Sequence, residues 1–173
     1  MRKILVVIDM QNDFIDGVLG TKEAYAILPE VVKKIKEYPP EDVFVTRDTH
    51  EHNYLDTTEG KHLPVKHCIY GTDGWQLAPE IKQVLSGAEI IDKPTFGSTS
   101  LAEMLKLLSQ DEKIEIEICG VCTDICVIAN AILLKTYMPE VEITLDSACC
   151  AGSTPKKHVE ALSVMQSCHI NII

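Results

Sequence analysis

The segment KILVVID, residues 3–9, is apolar without alternation and ends on an acid. A strand with one wet face alternates apolar and polar residues, so a strand that does not alternate is covered on both faces. This one segment therefore demands helices above and below a sheet. The rest of the chain supplies them in turn. AYAILPEVVKKIKEY (24–38) has helical spacing and a basic last turn, and Pro39 and Pro40 stop it. DVFVTRD (42–48) reads as a second strand ending in an acid. Residues 49–78 have no clean period and hold His50, His52, His62 and His67, so they read as a long loop of the kind that carries function.

The alternation continues beyond that loop. Pro79 to Leu85 reads as a short helix and EIIDK (89–93) as a third strand. SLAEMLKLL (100–108) reads as a helix with Ser100 and Glu103 at capping-box spacing. KIEIEICG (113–120) is the fourth strand, 124–138 a helix that stops before Pro139, and VEITLDSA (141–148) the fifth strand. Thr154 and Pro155 open a last helix to about Cys168, and HINII (169–173) closes the chain as a sixth strand. Strands alternating with helices imply right-handed βαβ crossovers and a parallel sheet. The 173 residues contain no linker or repeat, and one domain over 1–173 is expected.

Charge and thiol content exclude some functions. The net charge of −10 argues against nucleic acid and anionic membrane partners. No apolar run approaches the roughly 18 residues that span a bilayer. The N-terminus reads as a strand rather than a signal peptide. Seven cysteines, an odd number, then read as reduced thiols in a cytoplasmic protein rather than as a disulfide framework.

In an open parallel sheet, ligands bind beyond the carboxyl ends of the strands. Four such ends carry reactive residues: Asp9, Asp48, Lys93 and, one short turn after the fourth strand, Cys126. Cys126 falls in the first turn of a helix, with Thr123 as a plausible N-cap and Asp124 as a first-turn acid; that placement favours a thiolate. A cysteine nucleophile needs a proton acceptor and a stabilising cation, roles open to Asp9 and Lys93. Asp48-x-His50 puts a carboxylate and an imidazole on one side of an extended segment. With His67 and Glu59 it forms a donor set suited to zinc, manganese or iron. His52 and His62 are alternative imidazoles, and Asp56 an alternative to Glu59. A competing reading takes Cys119-x2-Cys122-x3-Cys126 as part of a metal or iron–sulfur site. Another takes the chain as a non-catalytic redox sensor.

VVIDMQNDFIDG, TRDTH, HCIYGTDGWQLAPE, KPTFGST and GVCTDICV together resemble the isochorismatase-like cysteine hydrolases, and among them the nicotinamidase-type amidases. The resemblance spans nearly the whole chain. It implies a three-layer α/β/α fold with a mostly parallel sheet of about six strands. It also implies an Asp9–Lys93–Cys126 triad, metal ligation by Asp48, His50 and His67, and Glu59 as a further ligand. A cis peptide is implied at Val121–Cys122, in a turn that aims the N–H groups of Cys122 and Cys126 at an oxyanion. The implied activity is hydrolysis of a small carboxamide to acid and ammonia by a homodimer or homotetramer. The family also includes hydrolases of ureido and carbamoyl compounds. Two departures stand out: residue 122 is usually alanine, and the stretch Leu63-Pro64-Val65-Lys66 lacks the ring that nicotinamidases carry before the second metal histidine. Phe14, Phe96 and Val121 are the expected pocket residues. Isochorismatase proper lacks the nucleophilic cysteine, so Cys126 argues against vinyl-ether cleavage.

Overall fold

The structure is a computed structural model describing residues 1–173. In chain order, β1 (Arg2–Ile8) leads through the one-turn α1 (Asn12–Ile15) to α2 (Lys22–Ile35) and β2 (Val43–Asp48). The segment after β2 contains only short helical turns, the longest being α3 (Thr58–His62). Then follow α4 (Pro79–Val84), β3 (Glu89–Lys93), α5 (Thr99–Asp111) and β4 (Ile114–Val121). A π-helical turn at Thr123–Val127 precedes α6 (Ile128–Tyr137), and β5 (Glu142–Ala151), α7 (Pro155–Ser167) and β6 (Asn171–Ile172) complete the chain.

The six strands form one sheet in the order β3-β2-β1-β4-β5-β6, with every neighbouring pair parallel. The chain winds from β1 outward to β3, then returns to β4 and winds outward the other way. Right-handed crossovers in opposite directions put their helices on opposite faces. Accordingly α2 packs with α4, while α5, α6 and α7 pack in succession. That double cover explains the apolar run that opens the chain: Ile4 to Ile8 are all 0% exposed. Burying each such side chain stabilises the fold by about 1.5–3 kcal/mol. No helix is long and apolar enough to cross a membrane.

Local chemistry moves several element ends from where the sequence alone puts them. The cap of α5 is Ser98, whose hydroxyl accepts from Leu101 N, and not Ser100 with Glu103. Asn130 Oδ1 accepts from Ser98 N at 2.9 Å and holds that residue at the helix entrance. The fifth strand runs on to Ala151 because its register with β4 shifts between Ile118 and Gly120, which lets Cys150 and Ala151 pair with Gly120 and Val121. The sixth strand shrinks to two residues because His169 turns into the left-handed region at φ 62°.

Candidate active site

The winding direction reverses between β1 and β4, and a crevice opens at their carboxyl ends. Asp9 follows β1, Asp48 and Lys93 are the last residues of β2 and β3, and Cys126 lies in the turn after β4. Parallel pairing sets Asp48 directly opposite Lys93. Asp9 takes a left-handed conformation, φ 50°, held by its N–H on Thr46 O at 3.2 Å. Thr46 Oγ1 also donates to Asp9 Oδ1 at 2.6 Å, so both the backbone and the carboxylate of Asp9 are fixed from β2.

Lys93 is the hub of the site. Its Nζ lies 2.7 Å from Asp9 Oδ2, and it donates to Cys126 Sγ at 3.4 Å and to Thr95 O at 3.2 Å. Asp48 Oδ1 is 3.5 Å away. Lys93 is 1% exposed and Asp9 0%, so each charge depends on the other. Burial opposes the charge on Lys93, but Asp9, Cys126 and Asp48 more than offset it, and the ammonium stays protonated. Burial pushes the Asp9 carboxyl up; Lys93 opposes the rise and the charge of Asp48 adds to it. Burial likewise pushes the Cys126 thiol well above its ordinary range, reinforced by Asp9 and opposed by Lys93. The sequence leads one to expect a thiolate favoured by a helix N-terminus. In the folded chain burial works against the thiolate, and the nearby Lys93 ammonium works for it.

The turn before α6 is also built differently from the expected cap. Thr123 Oγ1 pairs with His158 Nδ1 at 2.7 Å instead of capping the helix. Asp124 accepts from Ser153 N and Ser153 Oγ at 2.7 and 2.6 Å. These bonds tie the turn to the start of α7. The Val121–Cys122 peptide is cis. Ile125 N and Val127 N both donate to Cys122 O, while Cys122 N–H has no acceptor within the chain. Asn130 Nδ2 donates to Cys126 O at 2.8 Å and to Phe96 O at 3.0 Å, joining the turn to the loop after β3.

Beside the trio lies a group of four donors. Asp48 Oδ2 is 2.9 Å from His50 Nε2 and 3.4 Å from His67 Nε2, and Glu59 Oε1 is 3.5 and 3.7 Å from the same two nitrogens. All four donor atoms fall within 4.8 Å of one another. Ligands about 2.1 Å from a tetrahedral divalent ion sit about 3.4 Å apart, and the four carboxylate–imidazole spacings, 2.9 to 3.7 Å, lie near that value. His67 Nδ1 bonds Val65 O at 2.8 Å, which turns the Nε2 lone pair inward. The Tyr54 ring packs against both imidazoles, and Gln11 brackets the Asp48 backbone by accepting from its N–H and donating to its carbonyl. Burial would raise the Asp48 carboxyl, but hydrogen bonds from His50 and His67 hold it well below the usual carboxylate range. His52 and Asp56 stand exposed and outside the cluster; His62 reaches the cavity but not the donor group.

A cavity of about 450 Å³ connects the two groups. Phe14 and Phe96 line it, as do Cys122, Cys126, Asp48, Glu59 and His67. Val121 does not: it is 0% exposed, because the end of β4 is buried on both faces. Gln11, Thr46 and Asn130 escaped the sequence reading. Gln11 and Thr46 act through bonds to residues 37 positions away, and Asn130 adds to its bond with Cys126 one to a residue 32 positions away; no local pattern signals the distant bonds.

The chain is 27% identical to a Bacillus subtilis protein described as the uncharacterised isochorismatase-family protein PncA, over 94% of this chain and 93% of that one. Among solved structures it resembles a pyrazinamidase of Pyrococcus horikoshii in complex with zinc, with TM-score 0.79, 27% identity and coverage of 100% of this chain and 99% of that one. A pyrazinamidase/nicotinamidase of Streptococcus mutans has the same fold, with TM-score 0.81, 24% identity and 99% of each chain covered. The family model described as the isochorismatase domain matches residues 3–173, so this chain belongs to the isochorismatase family.

Proposed function

We propose that the chain is a metal-assisted cysteine amidase that converts a small carboxamide to the acid and ammonia through a thioester on Cys126. The hydrolase class, acting on amide carbon–nitrogen bonds, rests on the family and on the likeness to a pyrazinamidase. The observation that carries the mechanism is the single buried ammonium of Lys93 within reach of both Asp9 and Cys126 Sγ.

Asp9 accepts the Cys126 proton as the sulfur attacks the amide carbon. Its pushed-up carboxyl is the better base for that task. The carbonyl electrons move onto oxygen, and the unpartnered Cys122 N–H and the N–H of Cys126 donate hydrogen bonds to that oxyanion. Asp9 passes its proton to the departing nitrogen, and ammonia leaves as the carbonyl re-forms. A water then gives its proton to Asp9 and attacks the thioester, the acid is released, and the thiol is restored. Lys93 keeps its proton throughout and balances the charge that shuttles between Asp9 and the sulfur.

Asp48, His50, Glu59 and His67 would hold a divalent ion. Two imidazoles and two carboxylates suit zinc first, and manganese or iron next. When bound, such an ion supplies a Lewis-acidic centre on the cavity wall. The reading also includes one domain acting as a cytoplasmic homodimer or homotetramer. A thiol-rich metal or redox protein is disfavoured, because Cys119 is buried beside Cys149 and Cys150 and away from the cavity. The test is ammonia release over a carboxamide panel that includes nicotinamide and pyrazinamide. Cys126→Ala is expected to lose at least 10³-fold in kcat/KM on every substrate the wild type accepts. Turnover near the wild-type level would overturn the assignment.

A further inference from the structure

The charges around the cavity balance, with one exception. Asp9 and Lys93 neutralise each other at 2.7 Å. A divalent ion held by Asp48 and Glu59 would balance their two carboxylates as well. Asp124, behind the wall, is committed to Ser153 through two bonds. What remains is Lys157, which lines the same cavity and has no carboxylate within 4.0 Å.

Nothing in the local fold accounts for this lysine. It sits in the first turn of α7, at the positive end of the helix, where a cation is disfavoured and where no acid accompanies it. Its neighbour Lys156 reaches Glu160 at 3.7 Å, one turn on. Lys157 faces the cavity instead. It is exposed, whereas Cys126 is only 5% exposed, so the two mark the mouth and the floor of one space. Of the hydroxyls nearby, Ser153 Oγ donates to Asp124, and Thr21 Oγ1 accepts from Ala24 N. On a chain of net charge −10, an acidic ligand would be repelled unless a local cation met it.

We infer that the substrate carries a carboxylate at the end remote from the scissile amide, and that Lys157 is the specificity-determining residue that pairs with it. Resting on the amidase reading, this narrows the substrate to small ω-amidated or carbamoylated carboxylic acids. A neutral pyridine carboxamide would leave the Lys157 ammonium unpaired.

The test compares succinamate with its methyl ester, using ammonia release by the metal-loaded enzyme. Wild type is expected to favour the acid by about tenfold or more in kcat/KM. Lys157→Arg should keep that preference, Lys157→Gln should bring the ratio near one, and Lys157→Glu should push it below one. By calorimetry, succinamate should bind Cys126→Ala about tenfold more tightly than Cys126→Ala/Lys157→Gln. Equal kcat/KM for acid and ester in wild type, an unchanged ratio in Lys157→Gln, or equal affinities would overturn the inference while leaving the amidase intact. Failure to release ammonia from any amide would overturn both.

Discussion

At Gly120 the chain has room for a hydrogen and nothing larger. Its φ is 118°, and a Cβ there would run into the backbone oxygen and nitrogen of Ile8 on the adjacent strand. Ile8 precedes Asp9, and Gly120 leads into the turn that bears Cys126, so this close approach is what brings Asp9 and Cys126 to one place. Gly120→Ala is expected to cost about 2 kcal/mol or more, read as a lower urea midpoint, together with a loss of ammonia release. A variant as stable and as active as wild type would contradict this view of the β1–β4 contact. At this scale the sequence was partly legible. Asp9, Asp48 and Lys93 stand out because they close apolar strands, and Cys126 because it follows one. Glu59 and His67 stood out as donors in a loop with no period, where Asp56, His52 and His62 were alternatives until the resemblance favoured the first pair. Val121 and Thr123 were misjudged because the burial of β4 and the bond to His158 override local propensity.

Among the elements, α2 is fastened to the sheet by one lysine. Lys34 lies 2.7 Å from Glu117 on β4 and 3.0 Å from Asp146 on β5, and Tyr38 donates to Glu117 at 2.5 Å. Burial works against ionisation of Asp146, but the Lys34 ammonium holds its carboxyl below the ordinary value. A carboxyl depressed in the folded state contributes stability above its unfolded pKa, about 3.9, and loses it as pH falls through the folded value. Asp146→Asn is therefore expected to be less stable than wild type at pH 7, with the gap closing below about pH 4 in urea titrations. A gap that stays constant across that range would show that the pair contributes nothing through ionisation. The strands and helices themselves were easy to read, because covered strands and amphipathic helices impose their periods on the sequence. Their ends were harder. The Ser98 cap depends on Asn130, and the length of β5 on a register shift against β4.

For the whole molecule, the decisive fact is the order of six parallel strands. The reversal between β1 and β4 gathers residues 9, 48, 93 and 126 at one rim. It also sets the four-donor cluster beside them, around a cavity with Lys157 at its mouth. The parallel, doubly covered sheet was legible from the strand–helix alternation together with the handedness of crossovers, but the strand order was not, because it depends on pairings between segments far apart in the chain. The depth of the site was not, because desolvation of Asp9 and Cys126 arises only when both faces of the sheet are covered. The central claim is that these distant residues act together to build a covalent intermediate on one sulfur. Its most direct measurement is the intact mass of metal-loaded enzyme acid-quenched during turnover of an accepted carboxamide, followed by peptide mapping. The account predicts an acyl adduct, the substrate mass less ammonia, on Cys126 alone and absent from Cys126→Ala and Asp9→Asn. Sustained ammonia release by Cys126→Ala, or an adduct on another residue, would contradict it.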